Sequence, residues 1–365
     1  MVYIRNGVKG MYKLSKFNYY QVFNNELLLF NTLNGPNSLC KFTNILDLNN
    51  NLEKLNEKEI KKLVDRGIII NDDIDECNLL EKRFYEFLYP NDFEFIVNVT
   101  ENCNFLCKYC FESHEKIVID TKTEENICSY ILKNIDKYNK INISWFGGEP
   151  LLYTNKIEAM SNELLRICKN YRRKYSASIT TNGYLLNIEN FEKLLNLKVN
   201  LFQITLDGIE SIHDYQRPLV NGGKSFETII NNLMQIKNSK HKGFRIIIRS
   251  NITRKIMPYI EEYLSLLEEL SHNDDRFCVM IFNVGEWSDN LGSDIKNDLL
   301  KDYDVIKSIY ENVIDTNRKI NFLFPLHYLS CGCNIARNNR YLVRPDGSLY
   351  KCSRVHKPCD LSRSF

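Results

Sequence analysis

From residue 93 onward the sequence alternates short apolar runs with longer stretches of helical spacing, and no other feature restricts the fold so tightly. The runs at 93–99, 141–146, 176–180, 201–206, 244–248 and 276–282 have strand length. Between them, apolar residues recur at helical intervals over 121–138, 155–172, 187–196, 225–238 and 257–270, and again over 298–316. A strand, a helix and another strand make a parallel pair, because the chain must cross back over the sheet before it can pair again. Six such units predict an α/β fold, a partial (β/α)6 TIM-like barrel in preference to an open doubly wound sheet.

The unusual residues sit where these strands end. Three cysteines follow the first strand, Gly147-Gly-Glu-Pro150 the second and Thr181-Asn-Gly183 the third. Asp207-Gly208 follows the fourth, and Ser250-Asn251 the fifth. Taken singly, each is explained by an ordinary turn: Asn-Gly and Asp-Gly adopt positive φ easily, and Pro150 suits the first position of a helix. Taken together they converge, since the carboxyl ends of parallel barrel strands share one rim, where ligands bind. Two consecutive glycines let backbone approach a ligand, and Glu149 beside them can meet an ammonium group.

The cysteine run, Asn98-Val-Thr-Glu-Asn-Cys-Asn-Phe-Leu-Cys-Lys-Tyr-Cys-Phe111, places Cys103, Cys107 and Cys110 within eight residues. Three thiolates hold an iron–sulfur cube by three corners and leave the fourth iron open. A zinc ribbon and a thiol redox pair are the alternatives. The ribbon lacks a second Cys-x-x-Cys, and the redox pair has no use for Cys103.

Charge and hydropathy exclude other classes. Lys plus Arg number 48 against 46 Asp plus Glu, so nothing in the charge balance points to nucleic acid. No run approaches the roughly 20 apolar residues that span a bilayer, and the start lacks the apolar core of an export signal. A cytoplasmic protein without a membrane partner is expected. Twelve cysteines in so long a chain then read as reduced thiols and metal ligands, not as a disulfide scaffold. Cys40, Cys77, Cys128, Cys168 and Cys278 lie in apolar or helical contexts and are expected to be buried small hydrophobes.

Residues 1–88 read as a separate module. Extended segments at 19–23 and 27–30 precede helical spacing at Leu52, Leu55, Ile60 and Leu63. Gly67 is placed to end that helix, and 68–70 reads as a short strand. The arrangement suggests a winged-helix-like unit. The domain division expected is 1–88, 89–320 for the barrel, and 321–365.

These residues resemble the radical S-adenosylmethionine enzymes, whose Cys-x-x-x-Cys-x-x-Cys is matched by Cys103, Cys107 and Cys110, with Tyr109 before the last cysteine and Gly-Gly-Glu-Pro at 147–150. The resemblance implies a [4Fe-4S] cluster whose open iron binds S-adenosylmethionine. It places Gly147, Gly148, Glu149 and Pro150 near the amino group, Tyr109 near adenine, Asn182 and Thr205 near the ribose, and Arg217 near the methionine end. It further implies reductive cleavage to a 5′-deoxyadenosyl radical, an electron donor such as flavodoxin or ferredoxin, and an anaerobic host.

A narrower resemblance rests on Trp145-Phe-Gly-Gly-Glu-Pro-Leu151, Leu206-Asp-Gly-Ile-Glu-Ser-Ile-His-Asp214, and Cys331 followed by Pro345-Asp-Gly-Ser-Leu-Tyr-Lys-Cys352. These look like the SPASM-domain branch, which includes ribosomal-peptide maturases and anaerobic sulfatase-maturating enzymes. It implies an auxiliary [4Fe-4S] cluster with Cys331 and Cys352 as first ligands. Cys333 and Cys359 complete a set of four by count, though the branch carries more cysteines, and a short, truncated SPASM segment is the expectation. The N-terminal module resembles the leader-binding element of peptide maturases, with a cap for the barrel as its alternative. A precursor peptide with a leader is therefore the expected partner, and a cross-link such as a thioether the expected product. Sulfatase-type maturation needs a base; residues 317–330 hold no Asp or Glu and only His327, the one candidate catalytic residue. An inactive peptide-binding protein is the remaining alternative.

Overall fold

The computed structural model describes residues 12–23, 26–43, 55–286, 293–300, 304–323 and 333–352. Two compact units emerge, one of residues 1–90 with 324–338, the other of residues 91–323 with 339–365.

In the first unit, strands β1 (Tyr12–Leu14), β2 (Asn18–Phe23), β3 (Glu26–Asn31) and β4 (Cys40–Thr43) precede helix α1 (Glu57–Asp65), strand β5 (Ile69–Asn71) and helix α2 (Glu76–Leu88). β2, β3 and β4 form an antiparallel sheet, and β1 pairs with β5. Helix α1 starts later than its apolar spacing suggests, because Asn56 and Glu59 form a reciprocal capping box there. Leu52 lies outside the described residues. Gly67, at φ +67°, ends the helix in the left-handed conformation expected of it. Helix α2 was not legible in the sequence: Phe84, Tyr85 and Tyr89 are exposed, so its large apolar residues do not mark an inward face. Cys77, expected to be buried, is exposed in its first turn, while Cys40, Cys168 and Cys278 are buried and Cys128 partly so.

The second unit is built on β6 (Asp92–Thr100), α3 (Thr121–Asn134), β7 (Lys140–Gly147), α4 (Thr154–Asn170), β8 (Lys174–Thr181), α5 (Ile188–Asn196) and β9 (Val199–Thr205). There follow α6 (Glu210–Gln216), α7 (Phe226–Asn238), β10 (Arg245–Ile252), α8 (Ile260–Ser271), β11 (Phe277–Asn283), α9 (Ser293–Asp298), α10 (Asp304–Asp315), β12 (Arg340–Val343) and β13 (Leu349–Tyr350). The sheet order is β11-β10-β9-β8-β7-β6-β12-β13, and β6 to β11 are all parallel to their neighbours. This is the partial barrel that the alternation of strands and helices predicts.

Strand β6 shows why the sheet has two unlike faces. Phe93, Phe95, Val97 and Val99 alternate with Asp92, Glu94, Ile96, Asn98 and Thr100. The first set continues across the register through Ile141, Phe202, Ile246 and Phe277 and is buried beneath helical residues such as Leu164, Phe191, Leu233 and Leu267. The second set continues through Ser144, Ser178, Gln203 and Arg249, a polar wall that faces away from the helices. One face makes the core, and the other is left for a ligand.

Two helix boundaries differ from the sequence reading. Pro258 lacks an N–H, and the chain passes through a 3-10 turn at Arg254–Tyr259 before α8 begins. The stretch at 298–316 becomes two helices, α9 and α10. The hairpin β12–β13 adds to the β6 edge, where Arg340 Nε donates to Glu94 Oε2 at 2.5 Å. Among the described residues, no helix is long and apolar enough to cross a membrane.

Candidate active site

The loop after β6 is laced on both sides by backbone. On one side, Gly148 N–H donates to Thr100 O (2.8 Å) and Glu149 N–H to Asn102 O (2.9 Å). On the other, Leu106 N–H donates to Pro218 O (2.8 Å), Lys108 N–H to Gln216 O (2.9 Å) and Val220 N–H to Asn104 O (2.9 Å). The cysteine loop is thus clamped between the end of β7 and the chain that leaves α6.

The glycines serve this clamp. A Cβ on Gly148 would stand 2.3 Å from Asn102 O and 2.6 Å from Glu101 O, and one on Gly147, at φ +126°, would stand 2.2 Å from Thr100 O. Only glycine allows so close an approach. The close neighbour in the structure is the cysteine loop itself.

Cys103, Cys107 and Cys110 line one open cleft, together with Tyr109, Gly147, Gly148, Asn182, Thr205 and Arg217. Of the candidate ligand-binding residues, Glu149 and Pro150 stand behind this wall, both buried. The Glu149 carboxylate is engaged by the chain, accepting from Leu151 N (3.0 Å), Thr181 Oγ1 (2.7 Å) and Asn182 N (2.7 Å). Burial pushes its pKa up, and these donors pull against that. Asn182 donates from Nδ2 to Asn104 Oδ1 at 2.8 Å, tying the third strand end to the cysteine loop.

Burial pushes the Cys103 and Cys110 thiols up to about 12 and raises Cys107 too, with the Arg217 charge pulling Cys107 the other way. Thiols in such a place ionise when a metal supplies compensating positive charge. Among the described residues, no three Cys, His, Asp or Glu converge to the spacing of a single metal ion. Three thiols that line one cleft fit a cluster held by thiolates at three of its iron corners.

A buried network lies behind Tyr109. Its hydroxyl donates to Asp207 Oδ2 and accepts from Arg217 Nη1 (3.0 Å) and Asn251 Nδ2 (3.4 Å). Arg217 Nη1 stands 3.7 Å from Asp207 Oδ2, and Asn251 N–H donates to Asp207 Oδ1 at 2.8 Å. Burial pushes the Asp207 carboxyl up, against the pull of Arg217, Tyr109 and Asn251. Burial also pushes the Tyr109 phenol well up, so it is a neutral hydroxyl that donates.

The strand-end motifs of the sequence therefore meet, but not all as lining. Ser250 points to the core side and bonds with Tyr263, while Asn251 reaches the cleft. Sequence reasoning missed Gln203, Arg249, Glu112 and His114, which also line the cleft. The period-two alternation that puts Gln203 and Thr205 on one face was the signal for the first two. His327, Cys331 and Cys359 lie outside the described residues. Cys333 is exposed, and Cys352 is half-buried just after β13.

Comparisons with known proteins agree with this geometry. The sequence model of the Radical SAM superfamily matches residues 97–257, which run from β6 through the rim loops to the turn before α8. An uncharacterized protein of Methanocaldococcus jannaschii is 34% identical over 173 residues, 47% of this chain and 57% of that protein. The radical SAM cyclopropyl synthase TigE of Paramaledivibacter caminithermalis is 25% identical over 389 residues, 93% of this chain and 78% of that one. The crystal structure of Streptococcus suis SuiB bound to precursor peptide SuiA has a TM-score of 0.54 at 14% identity, covering 97% of this chain and 87% of that one, a likeness of fold. The chain thus spans little more than half the length of the first of these relatives.

Proposed function

We propose, from the premise that this chain carries a radical S-adenosylmethionine domain, that it is a maturase that modifies a precursor peptide. The observation that carries the reading is the meeting of Cys103, Cys107 and Cys110 with Gly147, Gly148, Asn182 and Thr205 in one cleft at the carboxyl ends of parallel strands. In this reading the three thiolates hold a [4Fe-4S] cluster, and the cleft beside them takes S-adenosylmethionine. When bound and given one electron by a donor, that pair would supply the means to remove a hydrogen atom from a substrate.

The chain's own residues do the positioning. The two backbone clamps hold the cysteine loop, and the fully buried Glu149 fastens two strand ends beneath it. Tyr109 and Arg217 form the wall on the far side. Gln203, Arg249 and Thr180 also line this cleft.

A peptide substrate is supported by the fold shared with SuiB, whose structure holds its precursor peptide. The first unit, with its antiparallel sheet, is then the leader-binding module, whose sheet edge can take an added strand. Cys331 and Cys352 are the proposed first ligands of an auxiliary cluster. Flavodoxin or ferredoxin is the proposed electron donor.

The test is anaerobic reconstitution with iron and sulfide, followed by S-adenosylmethionine and a strong reductant. Release of 5′-deoxyadenosine is expected, and its absence from protein that has taken up iron would sink the radical assignment. Co-expression with a short peptide encoded beside the gene, followed by mass analysis, then tests the peptide. An unchanged mass would remove the maturase reading while leaving the radical chemistry standing.

A further inference from the structure

We propose that Asp207 is a positioning residue that sets the cysteine loop from behind, through Tyr109 and Arg217; the inference rests on the radical S-adenosylmethionine reading. Asp207 does not line the cleft and is fully buried, yet two residues that do line it end on its carboxylate. Tyr109 comes from the cysteine loop, between Cys107 and Cys110, and Arg217 from the end of α6.

Every polar group of Asp207 is used. Its N–H donates to His213 Nδ1 at 3.2 Å, and its carbonyl accepts from Gln216 Nε2 at 3.4 Å. Oδ1 accepts from Asn251 N, and Oδ2 faces Tyr109 and Arg217. The motif from 207 to 217 therefore folds back on its own first residue, with His213, Gln216 and Arg217 converging on it. Gln216 just before Arg217, and Pro218 and Val220 just after it, carry the three backbone bonds that clamp residues 104–108. Moving Asp207 would displace the clamp and the Tyr109 side chain together, and both bear on the direction of the flanking thiolates.

A buried carboxylate held by two hydrogen bonds, from Tyr109 and Asn251, and by the Arg217 charge beside it is ordered in one place, so the group it orders inherits that precision. Residues that orient the ligands of a metal centre typically change its affinity or activity on the order of 10–100-fold when replaced.

The experiment compares wild type with Asp207→Ala, Tyr109→Phe and the double variant, each reconstituted anaerobically with iron and sulfide. Asp274→Ala serves as the control for general loss of stability, because Asp274 holds the Arg276 guanidinium just before β11 and does not line the cleft. The readouts are iron content, the electron paramagnetic resonance spectrum of the reduced cluster with and without S-adenosylmethionine, and the binding constant for S-adenosylmethionine. Asp207→Ala and Tyr109→Phe are expected to keep their iron and to bind S-adenosylmethionine about tenfold more weakly. They should also show an altered spectral response to it, and the double variant should lose less than the sum of the two losses. Asp274→Ala should bind S-adenosylmethionine as wild type does. An unchanged response in Asp207→Ala, simple additivity, or the same loss in Asp274→Ala would overturn the inference. Should Asp207→Ala not fold, Tyr109→Phe decides alone: a wild-type spectral response and affinity would overturn it. Wild type that holds no cluster would overturn both this inference and the reading beneath it, whereas an active wild type with indifferent variants would overturn only the inference.

Discussion

The Glu149 carboxylate accepts the Asn182 N–H at 2.7 Å from within a site that solvent does not reach, and through this bond the ends of β7 and β8 are fastened together. The same side chain caps the 3-10 turn at Leu151 and takes the Thr181 hydroxyl. Glu149 therefore acts on the cleft by holding the two loops that form its floor.

Replacing Glu149 by alanine leaves these donors buried without a partner. A loss of about 3–5 kcal/mol in unfolding free energy is expected, because three buried neutral donors lose their acceptor at roughly 1–3 kcal/mol each. Glu149→Gln keeps one acceptor oxygen but turns N–H groups toward the Asn182 amide, and a smaller loss of about 1–3 kcal/mol is expected. Denaturant titration of both variants checks the order; a glutamine variant no more stable than the alanine one would contradict it.

Gly148→Ala tests the close approach of the cysteine loop. A Cβ at 2.3 Å from Asn102 O must push backbone, not a flexible side-chain end. Overpacking of this kind costs about 1–3 kcal/mol. The displaced loop should also take up less iron on reconstitution, measured per chain against wild type.

The pH behaviour of the metal-free chain follows from its thiols. Burial raises Cys103 and Cys110 to about 12 from an ordinary value of 9, so the neutral form is the one favoured in the folded state. Their contribution to stability is whole below pH 9 and is lost as pH rises from 9 toward about 12. Alkylation of these two thiols at pH 8 should lag far behind that of the exposed Cys77, since the thiolate is the reactive species. Mass mapping after a short pulse of iodoacetamide reads this directly, and equal labelling at all three would refute it.

Arg340 holds the final hairpin to the sheet edge. Its Nε and Glu94 Oε2 are 2.5 Å apart, and both side chains are mostly but not fully buried. Arg340→Met should cost about 1–3 kcal/mol, at the lower end for a pair that solvent partly screens. Amide exchange should rise along β12 and its partners Glu94 to Val97 and stay unchanged in β9 and β10.

Much of the fold was legible without coordinates. Hydrophobic alternation marks the barrel strands because one face of each packs on helices while the other does not, and Phe93, Phe95, Val97 and Val99 show this within one strand. The shared rim follows from the parallel order, and with it the meeting of Cys103, Gly147, Asn182 and Thr205. Helix α2 escaped because its aromatics face outward, and α6 because seven residues give too few turns for a period to show.

Chemistry of this kind, the cysteine spacing and the order of strands and helices, is determined by the sequence alone, because covalent spacing and period survive in any conformation. Which groups end up touching is another matter. Asp207 and Tyr109 are separated by 98 residues, as Asn182 and Asn104 are by 78, and no local pattern encodes such a pairing. Only the tertiary structure decides that Gly148 makes room for a loop and that Glu149 binds its own chain. It decides as well that Asp207 stands behind the cleft, because these outcomes depend on register and on what burial leaves as the nearest partner.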